Sequence, residues 1–420
     1  MGASTEKREP GGGSGTKRNF FVYAASHGLT KLGDALMNPK TTLSWLGSAL
    51  GAPTFLVAML VPIREAGSLL LQVAVAGLID RMRRRKWAWV AGSVVQGGCV
   101  GGMALVALRL EGLSAGLALV GLLALFATAR SVCSLSSKDV LGRTVSEDRR
   151  GRAGGWASSA GGIATLVVAA GGLIWGGDGL RSMAWVLLCA AVAWWLAAGL
   201  FSAMREPADE GGGGGSAGLG RLSLLREDPR LRRFVITRTL LLCSALSAPY
   251  YVMLAQRHLK DVESGWLGFV LLAGLASLVG GPLWGRLADR SSRQTMLWGV
   301  ALASLLGLGV FSVERWASPA LAQWWLLPGA FFVLSIAHQG VRIGRKTWIV
   351  NIAEGQRRRD YVAVSNSAMG VMLLIVGGLA AALAEYSLSG VLLALTLLGA
   401  AGAVLARDLP EAESDPDEGG

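Results

Sequence analysis

Two short basic stretches decide the fold of this chain. Residues 76–86 read AGLIDRMRRRK, and residues 285–293 read GRLADRSSR. In each, an apolar run ends in an Asp-Arg pair that is followed by further basic residues. Outward from both stretches the chain is apolar for about 20 residues at a time, which is the length of a helix that crosses a membrane.

The composition supports a membrane protein. Of the 420 residues, 52% are hydrophobic and only 16% are charged, whereas soluble domains average about 25% charged residues. The net charge of +12 is concentrated in short clusters between apolar runs, which is typical of cytoplasmic loops. The charge therefore predicts no nucleic-acid partner, and the lipid bilayer is the expected environment.

The apolar runs predict an all-α membrane protein, because every backbone polar group in lipid must be bonded internally. The alternating ten-residue segments of a β-barrel are absent from the sequence. Twelve spans are expected, at residues 20–45, 53–79, 87–108, 113–137, 153–176, 181–204, 232–256, 264–286, 295–313, 319–343, 361–384 and 387–406.

The placement of basic residues predicts the orientation. Roughly 30 of the 40 lysines and arginines fall in the segments that are cytoplasmic if both termini lie inside the cell. We therefore expect a multi-pass protein of the bacterial inner membrane with both termini cytoplasmic. Lys40 is expected to extend outward along its span, toward the interface.

An internal repeat divides the chain in two. Ala129–Arg130 and Lys138 recur as Ala337–His338 and Lys346, at a constant separation of 208 residues. This pattern predicts two six-helix bundles that pack as a parallel repeat. The expected division is a disordered tail at 1–19, bundles at 20–204 and 231–406, a linker at 205–230 and an acidic tail at 407–420. A monomer is expected.

The twelve-span layout and the two basic stretches resemble the major facilitator superfamily, whose signature follows the second and eighth helices. The resemblance covers roughly residues 20–406 and does not assign a subfamily. It implies the twelve-helix fold of that superfamily and a conformational latch on the cytoplasmic side. The residues that match the latch are Asp80, Arg81, Arg84, Asp289, Arg290 and Arg293.

Charged residues inside the spans are the candidate site, because ionisable groups at bilayer depth are costly. In the hairpin of the first two spans, equal depth pairs Lys31 with Glu65 and Asp34 with Arg64. Two interpretations stay open: a substrate and proton-coupling site, or a charge-balanced packing network. Further candidates of the same kind are Arg130, Arg238 and His338.

These observations favour a secondary active transporter that moves a small solute by alternating access, with protons as the coupling ion. Cations outnumber carboxylates inside the spans, which favours an anionic solute. The chain has no phosphate-binding loop for ATP, and no cofactor or metal site is expected. A membrane enzyme would need convergent polar residues that the sequence lacks; a receptor or assembly partner that kept the fold is the alternative.

Overall fold

The computed structural model describes residues 13–70, 75, 79, 81–175, 179–208, 224–259, 265–351 and 355–408. In the N-terminal half, the helices are α1 (Gly13–Leu36), α2 (Thr42–Ala49), α3 (Thr54–Leu70), α4 (Lys86–Arg109), α5 (Gly112–Thr144), α6 (Glu147–Trp175) and α7 (Gly179–Ser202).

The C-terminal half, from residue 224 onward, is also helical. Its helices are α8 (Leu224–Glu227), α9 (Pro229–Leu241), α10 (Cys243–His258), α11 (Gly265–Ala288), α12 (Ser292–Trp316), α13 (Leu326–Asn351), α14 (Gly355–Ala384) and α15 (Leu388–Arg407). A short 3₁₀ helix, Ser318–Ala322, precedes α13. The described residues contain helices and no strands.

Ten of the described helical segments are long and apolar enough to cross a membrane. The chain is therefore a multi-pass membrane protein, as predicted. Neither α1 nor α3 is among the ten segments. Part of the reason is physical: α1 carries Lys31 and Asp34, and α3, which carries Arg64 and Glu65, is described only as far as Leu70. The count of twelve spans stays a prediction.

The two halves pack their helices in the same pattern. In the N-terminal half, α1 packs on α6 and α7, and α4 packs on α5 and α7. In the C-terminal half, α9 packs on α14 and α15, and α12 packs on α13 and α15. The helix pairs correspond one to one, which supports the internal repeat read from the sequence.

One close helix contact occurs in both halves. A Cβ atom at Gly92 in α4 would lie 3.1 Å from the carbonyl oxygen of Ala129 in α5. A Cβ atom at Gly299 in α12 would lie 2.8 Å from the carbonyl oxygen of Ala337 in α13. In both halves a glycine therefore lets the third helix of the repeat approach the fourth at backbone distance, as small residues do in membrane bundles.

The first predicted span is interrupted in the structure. α1 ends at Leu36 and α2 begins at Thr42, whereas residues 20–45 are expected as one helix. Pro39 explains the break, because proline lacks an N–H and disfavours helical backbone in the preceding residue. The Asn38 side-chain oxygen accepts a 2.9 Å hydrogen bond from the Lys40 N–H and so stabilises the turn.

The N-terminal boundary also differs from the expected one. α1 begins at Gly13, inside the segment expected to be a disordered tail. Asn19 is buried, and its side chain exchanges two 3.0 Å hydrogen bonds with the backbone of Arg205. These bonds fasten the start of the first helix to the start of the linker; residues 209–223 lie outside the described residues.

The halves meet along two related seams. α3 packs on α14, and α6 packs on α11, so each seam joins one helix of each half. A Cβ atom at Gly370 in α14 would lie 2.6 Å from the Leu70 side chain. The seam between α3 and α14 is therefore as tightly packed as the contacts within a half.

Replacing Gly299 by leucine should lower the thermal stability of the purified protein, because the new side chain would collide with the α13 backbone at Ala337 and Val341. Overpacked core positions typically lose about 1–3 kcal/mol. The matched control is Gly309→Leu in the same helix, where a Cβ atom meets nothing within 4 Å. Unfolding in detergent, followed by tryptophan fluorescence, measures both; equal melting temperatures would contradict the packing described here.

Candidate functional site

A cavity of about 240 Å³ lies between the two halves. It is lined by residues of both: Asn38, Lys40, Glu65, Leu69, Leu242, Ala245, Leu246, Ala248, Ala273, Ser277, Phe331, Leu334, Ser335, His338, Gln339, Arg342, Arg345 and Leu373. The N-terminal half contributes the turn after α1 and the C-terminal part of α3. The C-terminal half contributes α10, α11, α13 and α14, so most of the apolar wall belongs to it.

Lys40 joins the halves inside this cavity. Its Nζ lies 3.8 Å from Glu65 Oε1 in the same half and 3.5 Å from His338 Nε2 in the other. The expectation that Lys40 extends outward is wrong, because the break at Pro39 turns the chain and directs the lysine inward. The predicted Lys31–Glu65 contact is replaced by this Lys40–Glu65 pair, and Lys31 is exposed.

One face of α13 carries a row of basic groups into the cavity. His338, Arg342 and Arg345 are separated by four and three residues, the spacing that aligns side chains along a helix. Arg345 Nη1 lies 3.8 Å from the thioether sulfur of Met369, and its buried Nε has no hydrogen-bond partner. Arg342 is exposed within the cavity wall.

Sequence reasoning found His338 but missed Arg342 and Arg345. Both lie at the end of the predicted tenth span, where basic residues read as part of a cytoplasmic loop. The four- and three-residue spacing after His338 is the signal that could have identified them. In the structure α13 continues to Asn351, so these arginines lie well inside the helix.

A second charge cluster lies inside the N-terminal half and away from the cavity lining. The Asp34 carboxylate accepts a 3.1 Å hydrogen bond from Arg64 Nη2 on one oxygen and a bond from Arg130 Nη2 on the other. The predicted Asp34–Arg64 contact is therefore confirmed. Each arginine also lies over an aromatic ring: Arg64 is 5.1 Å from the Phe126 centroid, and Arg130 is 5.5 Å from a Trp194 ring centroid.

This second cluster has the geometry of a packing network. One carboxylate serves two guanidinium groups, and cation–π contacts further stabilise both arginines. Charge-assisted bonds of this kind are the strong ones in a low-dielectric interior. For Asp34, Arg64 and Arg130, the structure therefore favours the packing interpretation over a direct role in solute binding.

Arg238 is a third buried cation, and it lies outside the cavity lining. Its guanidinium donates a 2.6 Å hydrogen bond to Ser365 Oγ and a 3.0 Å bond to Asn366 Oδ1. These bonds join α9 to α14 within the C-terminal half. The arrangement assigns Arg238 to helix packing.

The predicted latch residues are only partly placed. Asp80 lies outside the described residues, and Arg81, Arg84, Asp289 and Arg290 are exposed. Contacts to the end of each half are made by Lys86, a neighbour of the predicted residues, and by the predicted residue Arg293 itself. Lys86 Nζ donates to the carbonyl oxygens of Ser202 and Met204 at the end of α7, and Arg293 donates to the Arg407 carbonyl at the end of α15.

The basic loop of the N-terminal half has acidic partners that the sequence did not suggest. Glu206 accepts hydrogen bonds from the backbone N–H groups of Arg85 (3.1 Å) and Lys86 (2.8 Å) at the start of α4. A carboxylate is favourable at a helix N-terminus. Arg85 also pairs with Asp139 at 2.8 Å, so this loop is bound to both α5 and the segment after α7.

Comparisons with known proteins agree with this architecture. The family model described as Major Facilitator Superfamily matches residues 239–420. No protein of curated function matches the sequence. The resemblance to this superfamily, predicted from the two Asp-Arg loops, is confirmed over these residues.

Three solved structures share the fold over nearly the whole chain. The nucleoside transporter NupG superposes with a TM-score of 0.69 at 12% identity, covering 93% of this chain and 98% of its own. The xylose transporter XylE from E. coli gives 0.67 at 14%, covering 96% and 99%. A POT family transporter in complex with 5-aminolevulinic acid gives 0.69 at 11%, covering 94% and 95%.

Replacing Asp34 by asparagine should destabilise the protein, because it leaves Arg64 and Arg130 without their shared counter-charge. Since Asp34 is 22% exposed, we expect a loss of about 2 kcal/mol, somewhat below the cost of breaking a fully buried pair. The melting temperature in detergent measures it. The control is Asp139→Asn, whose carboxylate is 40% exposed. Equal melting temperatures of the two variants would contradict a larger stabilising contribution from Asp34.

Proposed function

We propose that this chain, which has the major facilitator fold and matches that family over residues 239–420, is a secondary active transporter that moves a small solute by alternating access. The observation that supports this most directly is the charged cavity between the halves, with Lys40 and Glu65 on one side and the α13 basic row on the other. Sites at a repeat interface become accessible from either side when the repeats rock against each other.

Contacts between the halves close one end of the molecule. Gln256 Nε2 donates a 3.0 Å hydrogen bond to the Trp45 carbonyl, and the Phe55 N–H donates a 2.6 Å bond to Glu385 Oε1. Toward the other end Lys31 and Arg342 are exposed. With the basic loops in the cytoplasm and both termini inside a bacterial inner membrane, as we propose, the closed end is external and the cavity faces inward.

The charges of the cavity favour an anionic solute. Lys40, Arg342 and Arg345 line it, against the single carboxylate of Glu65 among the described lining residues. Arginine binds carboxylate and phosphate groups through two or more N–H donors of its planar guanidinium group. The apolar wall, which includes Leu242, Phe331 and Leu373, suits the carbon skeleton of a small organic anion.

Glu65 is the residue that we assign to proton coupling. It is paired with Lys40, follows Arg64 in the chain, and faces His338, Arg342 and Arg345 across the cavity. A solute anion that binds Lys40 competes with Glu65 for this lysine. Because two neighbouring negative charges favour protonation of one of them, anion binding promotes proton uptake by Glu65, and the two move together.

Substituting the cavity cations tests the anionic class. Lys40→Gln, Arg342→Gln and Arg345→Gln should each weaken binding of small anions, because each loses one charge-assisted bond worth roughly 1.5–3 kcal/mol, or about tenfold or more in affinity. Calorimetric titration of the purified protein against phosphate, succinate and lactate measures this. Arg315→Gln, outside the cavity lining, is the control. Export of the cation ethidium by cells that overproduce the protein would contradict the proposal.

Glu65→Gln should uncouple anion movement from protons. In proteoliposomes with a pH-sensitive dye, the wild-type protein should acidify the lumen during succinate uptake, and the variant should retain succinate exchange without this acidification. Glu111→Gln, a substitution at the N-cap of α5 and outside the cavity lining, is the matched control. Retained proton movement in Glu65→Gln would assign coupling to another group, and binding without any flux in the wild type would favour a receptor.

A further inference from the structure

The cations of the cavity differ from those of the N-terminal cluster in what balances their charge. In the N-terminal cluster, Arg64 and Arg130 share the Asp34 carboxylate and can be buried with their charge offset. Among the described residues, no carboxylate lies within ion-pair distance of Arg342 or Arg345. Glu65 attracts Arg345 electrostatically, but its ion-pair partner is Lys40.

Existing contacts of Arg345 do not replace a counter-charge. The Met369 thioether at 3.8 Å is a weak acceptor, and the buried Nε of Arg345 has no partner. Arg342 is exposed in the conformation described here. Within the part of the chain that the structure describes, both guanidinium groups therefore lack a counter-charge, which water or a bound anion can supply.

Alternating access requires this cavity to close at its present opening before it opens on the other side. Closing an empty cavity removes water from Arg342 and Arg345 and leaves a net charge of about +2 in a low-dielectric site. The desolvation penalty for an uncompensated ion in a protein interior is large enough to slow a conformational step by orders of magnitude. A bound anion removes this penalty by pairing with the same two groups.

We propose that Arg342 and Arg345 prevent closure of the empty cavity, so that the anion-loaded protein changes conformation much faster than the empty one. This inference rests on the proposed transport function and adds to it a rate-limiting step, the return of the empty carrier. It follows that an anion on one side of the membrane exchanges for an anion on the other side faster than either moves alone.

The first experiment needs no solute. The exposed native thiol is first removed by Cys189→Ser; the other three cysteines are buried. Spin labels are then attached at Gly142→Cys and Arg290→Cys, and they report the distance between the halves at the basic end. Without anion, the protein should show a single long-distance population. Arg342→Gln/Arg345→Gln should add a shorter, closed population, at least about tenfold more abundant, whereas Arg315→Gln should not.

Flux measurements test the same inference independently. In proteoliposomes, exchange of labelled succinate against internal succinate should exceed net succinate uptake by about tenfold or more, and Arg345→Gln should reduce this ratio. Equal exchange and net rates, or identical distance distributions with and without the two arginines, would overturn the inference and leave transport intact. Absence of both fluxes would instead contradict the proposed function, and the distance measurement would still decide the inference.

Discussion

A charge inside a membrane bundle must be offset by a partner, and this constraint organises the interior of the protein. Asp34 meets the constraint for two arginines at once, because its two oxygens bind Arg64 and Arg130 separately. These bonds join α1, α3 and α5, three helices that are distant in sequence. The N-terminal half is therefore stabilised by one shared carboxylate, and a loss of that group affects all three helices together.

The cavity offers its cations less negative charge than this cluster does, because Glu65 is the single carboxylate among its described lining residues. Residues 64 and 65 are adjacent in α3, yet they face different environments: Arg64 points into the N-terminal cluster and Glu65 into the cavity. The same turn of α3 therefore carries Arg64, which pairs with Asp34 inside the N-terminal half, and Glu65, which pairs with Lys40 in the cavity. The proposed transfer of Lys40 from Glu65 to a solute costs little, because a 3.8 Å pair whose glutamate side chain is 43% exposed contributes little stability.

Much of the fold could be predicted from the sequence, because charge placement and repeat spacing are encoded locally. Ala129 and Ala337, which are 208 residues apart, make equivalent contacts through their carbonyls with Gly92 and Gly299. The hairpin argument also placed Asp34 beside Arg64. It failed for Glu65, since it assumed an unbroken first span, and Pro39 redirects the chain so that Lys40 reaches Glu65. Arg342 and Arg345 were missed because basic residues at the end of a predicted span are typical of a cytoplasmic loop. The sequence alone does not give the length of this helix.

The same repeat also explains how the basic loops connect to the cavity. At the start of α4 Lys86 binds the last carbonyls of α7, and at the start of α12 Arg293 binds the last carbonyl of α15. At the basic end α4 is thereby fixed to α7 and α12 to α15, while α3 and α11 form the seams with the other half. These hydrogen bonds hold each half together at the basic end, because a cation is favourable beside the carbonyl groups of a helix C-terminus. In the proposed transport cycle, movement is expected at the seams, and the charges that line the cavity there are Lys40 and Glu65 opposite the α13 row.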